Sequence, residues 1–165
     1  MVLKMTLGRE DLYQMMFWLG YDKRNEPSLY IGAMQGPNME NARDVVKEIT
    51  KRSHRYRTKN LILYMTQAVA RSIGMKHIYA VSNSGYYANN HLRLDRKLKT
   101  DFGEFWAEAG GTVTGDERFY EIPLVETRKT EAEIPTRKRA VYRKRFAFQD
   151  EADRQIEEKL RDILN

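Results

Sequence analysis

The sequence of 165 residues contains no cysteine. That absence excludes disulfide bridges, thiolate zinc sites and a thiol nucleophile. Histidine is scarce too. His54, His77 and His91 stand apart, with no spacing that marks metal ligands, so the sequence predicts no metal site. The most apolar early run, residues 13–19, is far too short to span a bilayer, and the first residues do not read as a secretory leader. No nucleophile elbow, P-loop, dinucleotide fingerprint or paired-carboxylate motif occurs, which leaves hydrolase, kinase and oxidoreductase readings without residue support. Internal repeats and low-complexity tracts are missing as well.

A hydrophobic fraction of 41% with 10 Tyr, 6 Phe and 2 Trp is enough for a core and excludes a disordered chain. The length fits one domain over residues 1–165. With 32% charged residues and a net charge of +6, the surface favours anionic partners. The expected location is the cytoplasm, with the inner face of a membrane as the second place.

Residues 2–7 alternate like a strand from the outset, so the chain reads as the later part of a longer protein. Turn chemistry at residues 8–11 leads into a second strand to Tyr21, and residues 22–27 turn into a third over 28–34. Three strands joined by short turns predict an antiparallel meander. Asn38 is the expected cap of a helix with Met39, Ala42, Val45, Val46 and Ile49 as its apolar stripe. A longer helix follows, with Leu61, Met65, Ala68, Val69 and Ile73 on one face, Asn60 or Thr58 as its cap and Gly74 just past its end. Residues 77–83 return as a strand. Residues 84–99 read as a polar loop, 101–111 as a short aromatic helix ended by two glycines, and 118–125 as a strand. Two charged segments, residues 135–146 and 151–164, close the chain. The fold class is therefore α/β (α+β), with a central, mostly antiparallel sheet and packed helices.

The start of the long helix is the first candidate site. Free backbone N–H groups and the positive end of the helix dipole point there, and Arg55, Arg57 and Lys59 crowd the same end against that dipole. An anion would offset the conflict, with Thr58, Asn60 and Leu61 beside it. The plainer alternative is three basic side chains splayed into water. Ser82 and Ser84 have no marked base, and Glu104, Glu108 and Glu121 act as bases only if buried. Gly32 and Gly36 read either as a bulge for ligand approach or as a turn beside a crowded neighbour.

Six segments resemble the VirK/YbjX family of bacterial proteins. They are Leu-Tyr-Ile-Gly-Ala-Met-Gln-Gly-Pro (29–37), Arg-Thr-Lys-Asn-Leu-Ile-Leu with Gln-Ala-Val-Ala-Arg-Ser-Ile-Gly (57–74), Ala-Val-Ser-Asn (80–83), Asp-Phe-Gly-Glu-Phe-Trp-Ala-Glu-Ala-Gly-Gly (101–111), Phe-Tyr-Glu-Ile-Pro-Leu (119–124) and Glu-Ile-Pro-Thr-Arg-Lys-Arg-Ala-Val-Tyr-Arg-Lys-Arg (133–145). The resemblance implies a link to virulence and envelope-stress resistance and a further N-terminal region. A family histidine after Ser-Asn is replaced here by Tyr86 and Tyr87. Beneath this, the element order is similar to that of GNAT-type N-acyltransferases, in which two splayed strands and a helix N-terminus hold the coenzyme A pyrophosphate. Two departures stand out: Arg57-Thr-Lys-Asn-Leu-Ile replaces the glycine loop, and a helix is inserted ahead of it. Phe105 and Trp106 stand where those enzymes often place a tyrosine acid, which leaves Tyr86, Tyr87 and Asn83 as the catalytic candidates.

Two functions follow. One is N-acyl transfer from acyl-CoA or another phosphate-bearing acyl donor to an amine. The other is non-catalytic binding of anionic lipid, lipopolysaccharide phosphate or RNA through residues 51–59 and 137–145, with nucleic acid ranked below the membrane.

Overall fold

The computed structural model describes residues 1–86 and 101–164. The expected meander is present: β1 (Val2–Leu7), β2 (Glu10–Tyr21) and β3 (Pro27–Gln35) pair antiparallel in succession. Both turns have a local cause. Gly8 takes φ 62° between β1 and β2. Asp22 Oδ1 then accepts the N–H groups of Arg24 (2.8 Å) and Glu26 (3.0 Å), while Asn25 takes φ 59°. In the β2–β3 register Met16 faces Ala33 and Phe17 faces Ile31, which leaves Gly32 as an extra residue in β3. A Cβ there would lie 2.9 Å from the Trp18 ring, so Gly32 is both bulge and crowded neighbour.

After α1 (Ala42–Arg52) and α2 (Thr58–Ser72), β4 (His77–Val81) returns beside β3 and parallel to it. α3 (Phe102–Glu108), the short β5 (Thr112–Val113) and β6 (Phe119–Ile122) follow, and the sheet order is β1-β2-β3-β4-β6-β5. The β3–β4 pair is parallel and the other four pairs are antiparallel, in keeping with the α/β class expected from the sequence.

One sheet face carries the core. Met15, Leu29, Ile31, Ile78, Ala80 and Ile122 pack there against Ile62 and Leu63 of α2 and the α3 aromatics Phe102, Phe105 and Trp106. Trp106 is fully buried and donates from Nε1 to the Val81 carbonyl at 2.8 Å, which fixes α3 at the end of β4. Gly110 ends α3 at φ 83°, and Gly74 follows α2 at φ 76°, as expected of helix-terminating glycines.

Other helix details differ from the sequence reading. α1 begins at Ala42 with Asn41, rather than Asn38, at the capping position and no side-chain cap bond. Arg57 holds that position in α2, so neither Thr58 nor Asn60 caps it. Thr58 is instead buried, with Oγ1 3.3 Å from Thr50 Oγ1. The two charged closing segments are largely one helix, α4 (Arg139–Leu164), entered through a 3₁₀ turn at Thr136–Lys138. Residues 147–150 contain no glycine or proline, so nothing breaks the helix between them. α4 docks on α2 mainly through polar contacts. Tyr64 donates to Asp153 (2.9 Å), Arg71 pairs with Asp153 (2.7 Å), and Glu126 accepts from Tyr56 (2.7 Å) and Gln149 (2.6 Å).

Candidate functional site

β3 and β4 pair from Ser28 with His77 to Ile31 with Ala80, and β3 then continues to Gln35 paired with β2 only. Bulky aromatics of α3 fill the space beyond. α2 starts at this same end of the sheet, so its N-terminus, the end of β3 and the face of α3 enclose a cavity of about 410 Å³. Met34, Gly36, Tyr13, Lys59 and Phe105 line it together with the carboxylates of Asp101, Glu104 and Glu108. The Lys59 ammonium lies 4.7 Å from the centre of the Phe105 ring. Burial raises the pKa of the Tyr13 phenol. A Cβ on Gly36 would lie 3.8 Å from the Tyr13 oxygen, so glycine leaves room beside that hydroxyl.

The six residues expected at the helix start divide sharply. Lys59 lines the cavity, and exposed Arg57 sits 3.9 Å from the Glu108 carboxylate at its edge. Arg55 is exposed, with φ 61°, and its carbonyl accepts from Arg145 at 3.1 Å. Thr58 is occupied with Thr50. Asn60 is half-buried, and its Oδ1 has no hydrogen-bond partner. Leu61 packs away from the cavity, against Tyr56 and Tyr64.

Asn83 holds α3 to the end of β4. Its amide donates to Asp101 Oδ1 (3.0 Å), and its Oδ1 accepts the Phe102 N–H (2.9 Å). Asp101 also caps α3 by accepting the Glu104 N–H at 3.0 Å; this bond, then the Asn83 bond, lowers its pKa. Tyr86 packs on Phe102 with ring centres 5.1 Å apart. Tyr87 and His91 lie outside the described residues. Sequence reasoning missed Tyr13, whose position in β2 gives no hint that it faces the end of β3. It allowed Glu104 and Glu108 as bases only if buried, and both are exposed, on a wall shared with Asp101 that the sequence did not show.

A second cluster had no sequence signal. On the other sheet face Trp18, Tyr30, Tyr79 and His77 stack in a row, with neighbouring ring centres 5.2, 5.3 and 5.9 Å apart. His77 is clamped between carboxylates, with Nδ1 2.6 Å from Glu121 and Nε2 2.8 Å from Glu26. Burial opposes its charged form, but the hydrogen bonds to Glu121 and Glu26 outweigh that and raise its pKa. Asp22, Glu26 and His77 offer ligand atoms within 4.8 Å of one another, yet Arg24 Nη2 lies among them, 2.8 Å from His77 Nε2. The present arrangement is therefore an ion-pair network. It borders a cavity of about 530 Å³ lined by Tyr30, Tyr79, Phe119 and Arg118.

Residues 1–158 match the family described as "Protein of unknown function (DUF535)". The chain belongs to this family. The DUF535 match and the similarity to YbjX bear out the VirK/YbjX resemblance. An uncharacterized protein of Haemophilus influenzae is 28% identical over 147 residues, covering 89% of this chain and 48% of that protein. The uncharacterized protein YbjX of Escherichia coli is 32% identical over 125 residues, covering 74% of this chain and 38% of that protein. The chain thus spans half or less of the length of these curated relatives. No solved structure matches it. Among the described residues of this DUF535 chain, no helix is long and apolar enough to cross a membrane.

Proposed function

We propose that this DUF535 chain is a GNAT-like N-acyltransferase that holds a phosphate-bearing acyl donor, such as acyl-CoA, where β3 and β4 part. The observation that carries this reading is the cavity of about 410 Å³ between the end of β3 and Lys59 at the start of α2, in a sheet whose β3–β4 pair is parallel and ends at Ile31 and Ala80. The donor's phosphates sit toward the helix N-terminus, where free N–H groups, Lys59 and Arg57 supply positive charge. The acyl chain and thioester extend along Met34 and Gly36.

The wall formed by Asp101, Glu104 and Glu108 suits an amine acceptor, because carboxylates attract an ammonium. In the transfer step the neutral amine attacks the thioester carbonyl, the C–N bond forms and the C–S bond breaks. The proton leaves nitrogen to solvent at the exposed Glu104 and Glu108 edge of the cavity, and the Tyr13 phenol gives its proton to the departing thiolate. Tyr13 replaces Tyr86 and Tyr87 as the acid in this reading, since its ring lines the cavity beside Gly36. The link to virulence and envelope stress belongs to the resemblance and enters only as a reason to include envelope-derived amines among the acceptors.

The test is a product assay by mass spectrometry with acetyl-, octanoyl- and palmitoyl-CoA against a panel of polyamines, amino sugars and aminoacylated lipids. Enzyme-dependent amide formation is expected, with Tyr13→Phe lowering kcat about 100- to 10,000-fold, the range of lost proton transfer. Absence of any acylated product with every donor overturns the reading.

A further inference from the structure

We infer that the elbow between α1 and α2, together with the start of α4, is a docking surface for an anionic lipid bilayer. This proposal is independent of the acyl-transfer reading. The two basic segments, far apart in sequence, converge at one place. Arg145 donates to the His54 carbonyl at 3.2 Å and to the Arg55 carbonyl at 3.1 Å, and its guanidinium lies over the rings of Tyr142 (4.4 Å) and Tyr56 (5.4 Å). His54 and Arg55 both take left-handed conformations, φ 53° and 61°, so Arg145 braces an unusual bend. Lys51 lies in the last turn of α1, Arg55 at the braced bend and Lys144 next to Arg145 in α4, with Arg137 and Lys138 on the turn that enters α4.

Among the described residues none of these six cations is within ion-pair distance of a carboxylate. Glu48 pairs with Arg52 (2.9 Å) and Glu131 with Arg143 (3.4 Å), while Glu126 and Glu133 meet neutral donors, Tyr56 with Gln149 and Thr130, so two acids stand against six cations here. Uncompensated positive charge at one end of the molecule is complementary to an anionic surface.

The neighbouring surface decides which one. α1 has an apolar stripe but no buried residue. Its Ile49 overhangs an open cleft of about 350 Å³ floored by Leu3, Met5, Leu61 and Met65. Leu61 also packs on Tyr56, directly beneath the Arg145 guanidinium. Cations and an open apolar cleft thus share a border, with Leu7 43% exposed on the flank of α1. A bilayer satisfies both parts, through anionic headgroups and hydrocarbon. A nucleic acid would leave the cleft empty and finds few ring faces for stacking, since Tyr56 is buried and Tyr142 is covered by Arg145.

The test is sedimentation of the full chain with vesicles of phosphatidylcholine alone or with about one third phosphatidylglycerol, at low and high salt. Binding to the anionic vesicles only, lost at high salt, is expected. Lys51→Glu with Arg55→Glu, and separately Arg137→Glu with Lys138→Glu, each lower the partition coefficient by about 30-fold or more, following the attraction lost per cation. Both pairs are exposed, so the thermal melt stays unchanged in at least one double variant. Ile49→Trp adds fluorescence that brominated anionic lipid quenches well beyond the quenching of the wild-type protein. Equal binding to neutral vesicles, binding untouched by both double variants, or an Ile49→Trp signal that the bound lipid leaves unquenched overturns the proposal. Retention of RNA in a gel shift without any vesicle binding overturns it too.

Discussion

Replacing Trp106 by Phe tests how the gap beyond the β3–β4 pair is filled. The indole is fully buried, stacks with Phe102 at a ring-centre distance of 6.1 Å, lies tilted against Phe105 at 4.9 Å, and donates to the Val81 carbonyl at 2.8 Å. Phenylalanine keeps one ring but loses the donor. A buried carbonyl left without its partner costs about 1–3 kcal/mol. The void left by the smaller ring adds roughly 1 kcal/mol, because a packed core relaxes only in part. The sum is about 2–4 kcal/mol, or a fall in Tm of roughly 4–15 °C for a chain of this size. Urea unfolding followed by circular dichroism measures it as a lower midpoint with an unchanged slope. A cost below about 1 kcal/mol would refute the reasoning, since it would mean that α3 is not held to β4 by this contact.

Three further outcomes follow from the same geometry. His77 has a raised pKa, so its charged form stabilises the fold fully below its ordinary value of about 6.5, and this contribution is lost as pH rises through the raised value. The Tm gap between wild type and His77→Gln should therefore be wide at pH 5.5 and narrow at pH 9, and an equal gap at both contradicts the clamp by Glu26 and Glu121. Arg145→Met should cost about 1–3 kcal/mol in urea unfolding, because two left-handed residues lose their brace, whereas an unchanged midpoint would show that the bend holds itself. Gly32→Ala should push the Trp18 ring outward at a cost of about 1 kcal/mol, and acrylamide quenching of tryptophan should rise, since Trp106 is out of reach.

Periodicity carried most of the fold. Alternation in residues 2–34 and the helical stripe from Leu61 to Ile73 are local patterns, and each became the expected element beside the expected neighbour. Helix ends were less legible, because Thr58 and Asn60 have the chemistry of caps while the chain geometry puts Arg57 in that position. The single span of α4 was hidden by its charge pattern, which suggested two pieces where the backbone has no breaker. At the candidate site the sequence gathered cations at the start of α2, yet only Lys59 lines the cavity and the opposing wall is acidic. That wall comes from α3, some 40 residues on, and no local pattern links the two. The His77 clamp is the extreme case, with partners 51 positions before it and 44 after it.

The proposed function places a phosphate-bearing acyl donor in the cavity between the end of β3 and the start of α2. Calorimetric titration of acetyl-CoA into the wild-type chain and into Arg57→Ala with Lys59→Ala tests it most directly. The account predicts saturable binding of one donor per chain, weakened by about 1–3 kcal/mol in the double variant with little change in Tm, as loss of charge-assisted contacts requires. No heat of binding at millimolar donor, or the same affinity in both proteins, would contradict it.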